Sequence, residues 1–577
     1  MFDCTNDRLS YGEMLRPYEG YELEFAVACT YSLDIGALLG VTLALNPFGD
    51  ADLPDENPVM LLRTLIKNSD KFAVFYNAAC IANLTQPSKF LPLIDSCVYR
   101  VDKGDRFNFH PKIWVLKYTN GKDEYIKFIS LSRNMTFDNS LDYAAECVAK
   151  VRKNLKNKKA RNRVLHDMLL KLAEQPSLDI DQKKNKIKSL ADDVLNCGNF
   201  YSKSMQSEVA YCEFLPYGFD GLNSVKPWSE QWENFVAVSP FLSPSTVNEI
   251  KNSVTGNIAL FTRQTAVSQT ILNGFTESYV LNNLTDEEAE GNAENIDLHA
   301  KIYYGEGAGG KFLFVGSANA THNAFNGNTE FLLKIKFKDD CDISYSSFID
   351  DLKQHDDKLF VKAYPAGNSQ ETDNSSAQRK AVLKAVRGVT FRAVECGKSR
   401  YNIVWQPNED CERLEISLAG INKFVPFSDG ILKDIAVKNL SQFFALKFED
   451  FCAVEKLNVE GLPEDRREQA IRNIIDNKSK FIEYISFILD GEYYGGTDYF
   501  TDGNPSGEES AYNNVAVFGL YEKMLRCAAS DDGRLDELVR VYSVFEKEGD
   551  IIPAGFPELI KAAQSAQSAQ SVKMDET

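Results

Sequence analysis

LHAKIYY, at Leu298 to Tyr304, is followed closely by VGSANAT from Val315 and by NGNTE, which ends at Glu330. Together these segments hold an imidazole (His299), an ammonium (Lys301), a hydroxyl (Ser317), two amides (Asn319 and Asn328) and a carboxylate (Glu330). On a strand, side chains two apart share a face, so an H-x-K triplet aims His299 and Lys301 the same way. A neutral imidazole attacks phosphorus or relays a proton near pH 7, and a neighbouring lysine balances phosphate charge. Asn319 adds a neutral donor for a phosphoryl oxygen, and Glu330 is placed to set an imidazole tautomer.

The chain carries this series twice. FHPKIWVLKY, from Phe109, supplies His110 and Lys112; ISLSRNMT supplies Ser132 and Asn134; and Glu146 closes the set. The lysine-to-asparagine spacing is 22 residues in the first set and 18 in the second, and the asparagine-to-glutamate spacing is 12 and 11. Two of the five histidines head these series. Matched repetition over this length points to one architecture used twice.

Apolar runs fall in the same order around each set. In the first they are LEFAVAC from Leu23, a helix over Ile35 to Leu45 capped by Ser32, KFAVFYN, CVYRV, KIWVLKY, YIKFISLS and ECVAKVR. In the second they are NFVAVSP, a helix capped by Ser243 with Pro244 at its first position, NIALFTR, SYVLNN, KIYY, KFLFVGS and EFLLKIKF. Buried strands with helices between them predict an α/β fold of mixed sheets flanked by helices. GEGAGGK, at Gly305 to Lys311, imitates a phosphate loop. Phe312 stands where that loop needs Ser or Thr, and a strand follows where it needs a helix, so the glycines are expected to turn a hairpin.

The expected divisions are 1–150 for the first half, 151–232 for a basic helical insertion and 233–340 for the second half. A helix with a small β domain follows over 341–452, and then an acidic helical region over 453–577. Within these, Ile343 to Val361 reads as a helix, Gly367 to Ser376 as a boundary loop, and AQSAQSAQS from Ala563 as a disordered tail. The apolar stripes Phe481, Ile482, Ile485, Leu489 and Leu535, Leu538, Val539, Tyr542, Phe545 are expected to be core.

The net charge of −19 weighs against a free protein that coats nucleic acid. The charge is uneven, however. Lys150, Arg152, Lys153, Lys156, Lys158, Lys159, Arg161 and Arg163 form a run without acids, expected to contact phosphates because it directly follows the first set. Twelve scattered cysteines without C-x-x-C suggest neither a zinc site nor a disulfide framework, and no metal or cofactor is expected. The longest apolar run, Ile35 to Leu45, is about half of a membrane span, and the polar start lacks a signal-peptide pattern, so the expected location is cytoplasmic with no membrane partner.

The duplicated H-x-K, S-x-N, E series resembles the phospholipase D superfamily, and is most similar in motif to its tyrosyl-DNA phosphodiesterase and nuclease branches. The resemblance covers Leu23 to Phe337, apart from most of the middle insertion. It departs where the superfamily places Asp five residues after each lysine: here stand Lys117 and Glu306. Gly316, Asn328 and Glu330 fit the pattern, whereas the first set has Leu131 for the glycine and Ala144 for the second asparagine.

The resemblance implies two pseudo-symmetric halves meeting at one cleft, with a C-terminal β and then α-helical accessory region. It implies a metal-independent phosphodiesterase in which His110 forms a phosphohistidine and His299 protonates the leaving oxygen. Lys112, Lys301, Asn134 and Asn319 then stabilise charge, Glu146 and Glu330 orient the histidines, and Ser132 and Ser317 support them. The implied substrate is nucleic acid, DNA before RNA, in bacterial (including antiviral) defence or repair, with a protein partner such as a helicase or another defence subunit. A lipid phosphodiesterase or transferase, and a non-catalytic nucleic-acid-binding scaffold, are the competing readings.

Overall fold

The computed structural model describes residues 11–45, 57–84, 88–137, 140–152, 160–178, 180–202, 207–222, 224–282, 297–353, 359–365, 374–408, 413–490, 523–524, 527, 534–546, 551–553 and 555–575. Among the described residues, sixteen strands run up to Lys362. The first seven are β1 (Glu22–Thr30), β2 (Phe72–Asn77), β3 (Val98–Val101), β4 (Ile113–Thr119), β5 (Glu124–Leu131), β6 (Ser140–Leu141) and β7 (Ala144–Lys150). Next come β8 (Val209–Tyr217), β9 (Asn234–Val238), β10 (Ile258–Thr262), β11 (Glu277–Leu281) and β12 (Asp297–Leu298). The last are β13 (Ile302–Gly307), β14 (Gly310–Gly316), β15 (Glu330–Phe337) and β16 (Phe360–Lys362).

The first sheet has the order β3-β2-β1-β4-β5-β7, and the second contains β11-β10-β9-β13-β14-β15, extended by β16 at one edge and β8 at the other. Strand directions agree as well: the first three strands of each order are parallel and the next three antiparallel. In β1, Leu23, Ala26 and Ala28 enter one core, and Phe25, Val27 and Cys29 another. A strand covered on both faces reads as a continuous apolar run, which is why these strands stand out in the sequence. The two sheets share the second of these cores, where Phe128 of β5 meets Phe331 of β15 with ring centres 5.1 Å apart.

The glycine-rich stretch is the β13–β14 hairpin, with Glu306 opposite Lys311 and Gly307 opposite Gly310. Gly310 holds φ at +110°, a conformation side chains disfavour. Lys117 and Glu306 serve the fold. Lys117 pairs with Glu24, Glu124 and Asp193, and Glu306 accepts from Asn234, Tyr304 and the Tyr345 amide.

Several expectations change. The helix Ile35–Ala44 is capped by Asp34, whose carboxylate accepts from the Gly36 and Ala37 amides; Ser32 stands too far upstream. Ser243 does sit at the cap position of Pro244–Asn252, but its hydroxyl bonds Thr246 Oγ1 and accepts from the His322 amide. Both H-x-K lysines lie one residue ahead of their strands, on extended lead-in segments. After β7 ends at Lys150, Val151 bridges Cys197, and among the described residues the helix of this stretch covers Ala160–Ala173. That helix, Ala160–Ala173, and the next, Asp181–Leu195, fill the core shared by the sheets, while β8 pairs along β15. The middle stretch is therefore built into the second sheet. Among the described residues of the predicted helix over Ile343 to Val361, Tyr345–Lys353 is helical, and Phe360 and Val361 belong to β16, bonded to β11. Of the predicted loop over Gly367 to Ser376, residues 367–373 lie outside the described ones, and Asn374 already begins the helix Asn374–Val386. AQSAQSAQS, expected to be disordered, continues the helix Phe556–Asp575.

In the accessory region, strands including Arg400–Trp405, Leu414–Leu418 and Phe443–Phe448 form two four-stranded sheets around Phe391, Trp405, Phe427 and Phe444. The helices Lys478–Asp490 and Arg534–Phe545 bury their apolar stripes in the same core as Leu23, Leu62 and Trp114 of the first unit. Val539 and Tyr542 are only half-buried, and Val541 and Val544 take the inner positions. Phe481 is fully buried, with the rings of Phe545 and Phe556 at 5.5 and 5.2 Å. Phe481→Ala is expected to cost about 3–5 kcal/mol, read as a lowered urea midpoint of the full chain. An unchanged midpoint would mean that these helices are not part of the first unit's core.

Candidate functional site

The two series meet by exchange. The segment leading into His110 pairs with the segment leading into Glu330. Thr329 N donates to Asn108 O at 2.8 Å, His110 N donates to Thr329 O at 2.8 Å, and Asn108 N donates to Asn328 Oδ1 at 3.0 Å. The segment leading into His299 pairs with Ser140 and Leu141 through β12 and β6, and the His299 and Ala300 amides both donate to Leu141 O at 3.0 Å. Each histidine is thus positioned by backbone from the opposite set.

The carboxylates follow the same exchange. His110 Nδ1 lies 2.8 Å from Glu330 Oε2, and His299 Nδ1 lies 3.8 Å from Asp142 Oδ1. Each carboxylate is tied to its own set's serine: Ser317 Oγ donates to Glu330 at 2.5 Å and Ser132 Oγ to Asp142 at 2.8 Å. The amide after each acid returns to the same hydroxyl, Phe331 N to Ser317 Oγ at 3.0 Å and Tyr143 N to Ser132 Oγ at 2.8 Å. Ser140 Oγ bonds Asp142 Oδ2 at 2.5 Å, as Asn328 Nδ2 approaches Glu330 Oε1 at 3.4 Å.

Asp142 therefore stands where Glu146 was expected, and Ser140 stands where Ala144 was matched to Asn328. Glu146 lies within β7 opposite Ile129 and faces Lys127 at 3.7 Å. The signal was a polar residue, a spacer and an acid directly ahead of an apolar strand: S-L-D beside N-T-E. The segment from Asn134 to Asp142 is shorter than its counterpart from Asn319 to Glu330, which holds the short helix His322–Asn326, and the difference displaced the match toward the next acid.

Lys112 and Lys301 are each 1 % exposed, and each donates to the carbonyl of the histidine two residues earlier, at 3.0 and 2.5 Å. Burial and then the two ammoniums hold the His110 imidazole well below its ordinary pKa. Burial, Lys301 and Lys112 bring His299 down to about 2. Burial lowers Lys301 to about 8 and raises Glu330 to about 8, although Lys112 opposes the latter. Both imidazoles are therefore neutral at pH 7. Asn134 Oδ1 and Asn319 Oδ1 are buried without partners among the described residues, which leaves both amides free to turn toward a ligand.

Gly316 allows Ser317 to reach β15. A Cβ there would come 2.2 Å from Phe331 O, the acceptor for the Ser317 amide at 2.9 Å. Leu131 occupies this place in the first set, where Ser132 N bonds Tyr143 O at 3.0 Å.

The basic run leads away from the histidines. Lys150 is opposite Tyr125, six residues along β7 from the Ala144–Leu131 pair beside Ser132, and thus roughly 20 Å distant. Lys150 pairs with Asp123, and Arg161 pairs with Glu213 and stacks on Tyr211 at 3.8 Å. The Arg152 amide bonds Asn196 O, and Arg163 is exposed in the helix Ala160–Ala173. Lys153, Lys156, Lys158 and Lys159 lie outside the described residues. Among the described residues there is no group of three His, Cys, Asp or Glu suited to a metal, and no helix is long and apolar enough to cross a membrane.

No family model and no curated protein matches this chain. Among solved structures it is similar to yeast tyrosyl-DNA phosphodiesterase, at 12% identity and a TM-score of 0.36, covering 59% of this chain and 87% of that one. A mutant of that enzyme gives 13% identity and a TM-score of 0.36, over 58% and 86% of the two chains. Polyphosphate kinase from Porphyromonas gingivalis gives 9% and 0.33, over 65% of this chain and 50% of that one.

The depressed imidazoles tie stability to pH. His299 binds its proton near pH 6.5 when unfolded and near 2 when folded, so its contribution is lost as pH falls below about 6.5. Between pH 7 and 5, His299→Gln is expected to lose about 2 kcal/mol less than the wild type, measured by urea unfolding at the two values. Equal losses would show that His299 is not held neutral in the fold.

Proposed function

We propose that this chain is a phosphodiesterase acting on nucleic acid through a phosphohistidine, with its own buried lysines supplying the positive charge. The observation that carries the reading is the 2.8 Å contact between His110 Nδ1 and Glu330, made across the two series beside two buried ammoniums. When Glu330 is ionised, which Lys112 and Lys301 favour against its burial, it accepts from His110 Nδ1–H and leaves the Nε2 lone pair outward. His110, the better anchored of the two, is the nucleophile: its Nε2 bonds to phosphorus as the P–O bond to the leaving group breaks.

His299 gives the departing oxygen its proton and then takes one from the water that releases the phosphoryl group. In the empty site two ammoniums oppose a protonated His299. A bound phosphodiester carries the compensating negative charge and restores its basicity. Lys112, Lys301, Asn134 and Asn319 then stabilise the charge that develops on the phosphoryl oxygens. Nucleic acid, with DNA ahead of RNA, follows from the motif resemblance. With a net charge of −19, delivery by a partner in a bacterial defence or repair system fits the chain better than unaided binding.

Cleavage of labelled DNA is expected to persist in excess chelator and to fall by about 10³-fold or more in His110→Ala and His299→Ala. Denaturation of the wild type during turnover in detergent at alkaline pH, where a P–N bond survives, should trap a phosphoryl-linked DNA strand on His110. Chelator-abolished cleavage, or phosphate on His299 alone, would overturn the mechanism. Asp142→Ala is expected to lower turnover by about 10- to 100-fold, and Glu146→Ala to leave it near wild type. The reverse order would restore Glu146 to the site.

A further inference from the structure

One group that holds the neighbours of His110 comes from the accessory region. Arg379 lies on the helix Asn374–Val386 of the accessory region, more than forty residues beyond β15. Its Nη1 donates to Tyr31 Oη at 2.5 Å and approaches Cys80 Sγ at 3.2 Å, and its Nη2 donates to Asn108 Oδ1 at 2.5 Å. Tyr31 follows β1 and sets its ring edge against the His110 imidazole, with centres 5.0 Å apart. Lys112 Nζ and Arg379 Cζ are each 5.7 Å from the centre of the Tyr31 ring. Asn108 is two residues before His110 and carries the backbone bonds that register this segment against Thr329. One guanidinium therefore grips both the ring packed on His110 and the segment that fixes its backbone.

We propose that Arg379 is a positioning residue for His110, so that the accessory region is an integral part of the phosphodiesterase site. Its planar fork spans acceptors on two elements at once, whereas a lysine presents one compact charge. The effect on chemistry runs through placement. A nucleophile displaced by about 1 Å loses about 100-fold in rate, and ground-state binding is affected much less. Just past the end of the same helix, Arg387 pairs with Asp102 and Asp105. Arg387 supplies the control for docking without contact to Tyr31 or Asn108.

The inference rests on the phosphodiesterase reading, and the full-length protein separates the two. Wild type, Arg379→Ala, Arg379→Lys, Tyr31→Phe, Arg387→Ala and His110→Ala are compared on single-stranded DNA in chelator. The readouts are kcat, KM, thermal unfolding, and the ring resonances of ¹⁵N-labelled histidine with His110 assigned from His110→Ala. The expected result is a kcat fall of about 10- to 100-fold in Arg379→Ala with little change in KM. Arg379→Lys should recover part of that loss, Tyr31→Phe should show a smaller fall, and Arg387→Ala should keep wild-type turnover. The His110 resonances should move in Arg379→Ala and not in Arg387→Ala.

A folded Arg379→Ala with near wild-type kcat and unmoved His110 resonances overturns the proposal and leaves the phosphodiesterase reading intact. Equal losses in Arg379→Ala and Arg387→Ala also overturn it, since they reduce Arg379 to docking. If Arg379→Ala does not fold, Tyr31→Phe decides by the same two readouts. A wild type with no cleavage removes the phosphodiesterase reading, and the His110 resonances then still decide whether Arg379 sets the imidazole.

Discussion

The contact on which the rest depends is the exchange of carboxylates between the two series. Glu330 belongs to one and holds the histidine of the other, and Asp142 faces the histidine of the second across a longer gap. Backbone bonds make the same exchange, so the orientation of each imidazole does not rest on a single side-chain bond. Sheet order, the shared core and the lead-in segments all keep these crossings in register. A displacement of one sheet against the other would separate histidine from acid at both places together.

Electrostatics gives the arrangement its direction. Two buried ammoniums repel additional positive charge, and burial discourages negative charge on Glu330. Each lysine is steadied by the carbonyl of its own histidine, which fixes its place without neutralising it. Such a site is poor in counter-charge until an anion enters. Held cations and orientable amides favour a substrate whose negative charge increases during reaction.

Much of this was legible in the sequence, for identifiable reasons. Strands buried on both faces are unbroken apolar runs, and the lysines, serines and asparagines sit at fixed distances from them. The first-set acid was misplaced because strand spacing carries no record of a shorter connecting segment, and Glu146 happened to fall at the matching distance. Asp34 rather than Ser32 caps its helix because both side chains can cap and the backbone conformation decides. The basic run follows the first set in sequence, but an antiparallel strand carries its first residue, Lys150, to the far end of the sheet. Arg379 leaves no mark at all, since its contacts reach back 271 to 348 residues to Asn108, Cys80 and Tyr31.

The strand β8 has a consequence for synthesis. It forms the edge of the second sheet by pairing with β15, whose residues follow about a hundred positions later. On the ribosome the first sheet emerges with His110 and Asp142, but the partner of each is still to be made. A chain arrested before Glu330 holds a histidine without its acid, and one arrested before Arg379 lacks the brace behind the Tyr31 ring. The order of translation thus leaves His110 without its carboxylate until residue 330 and without the Arg379 contacts behind it until residue 379.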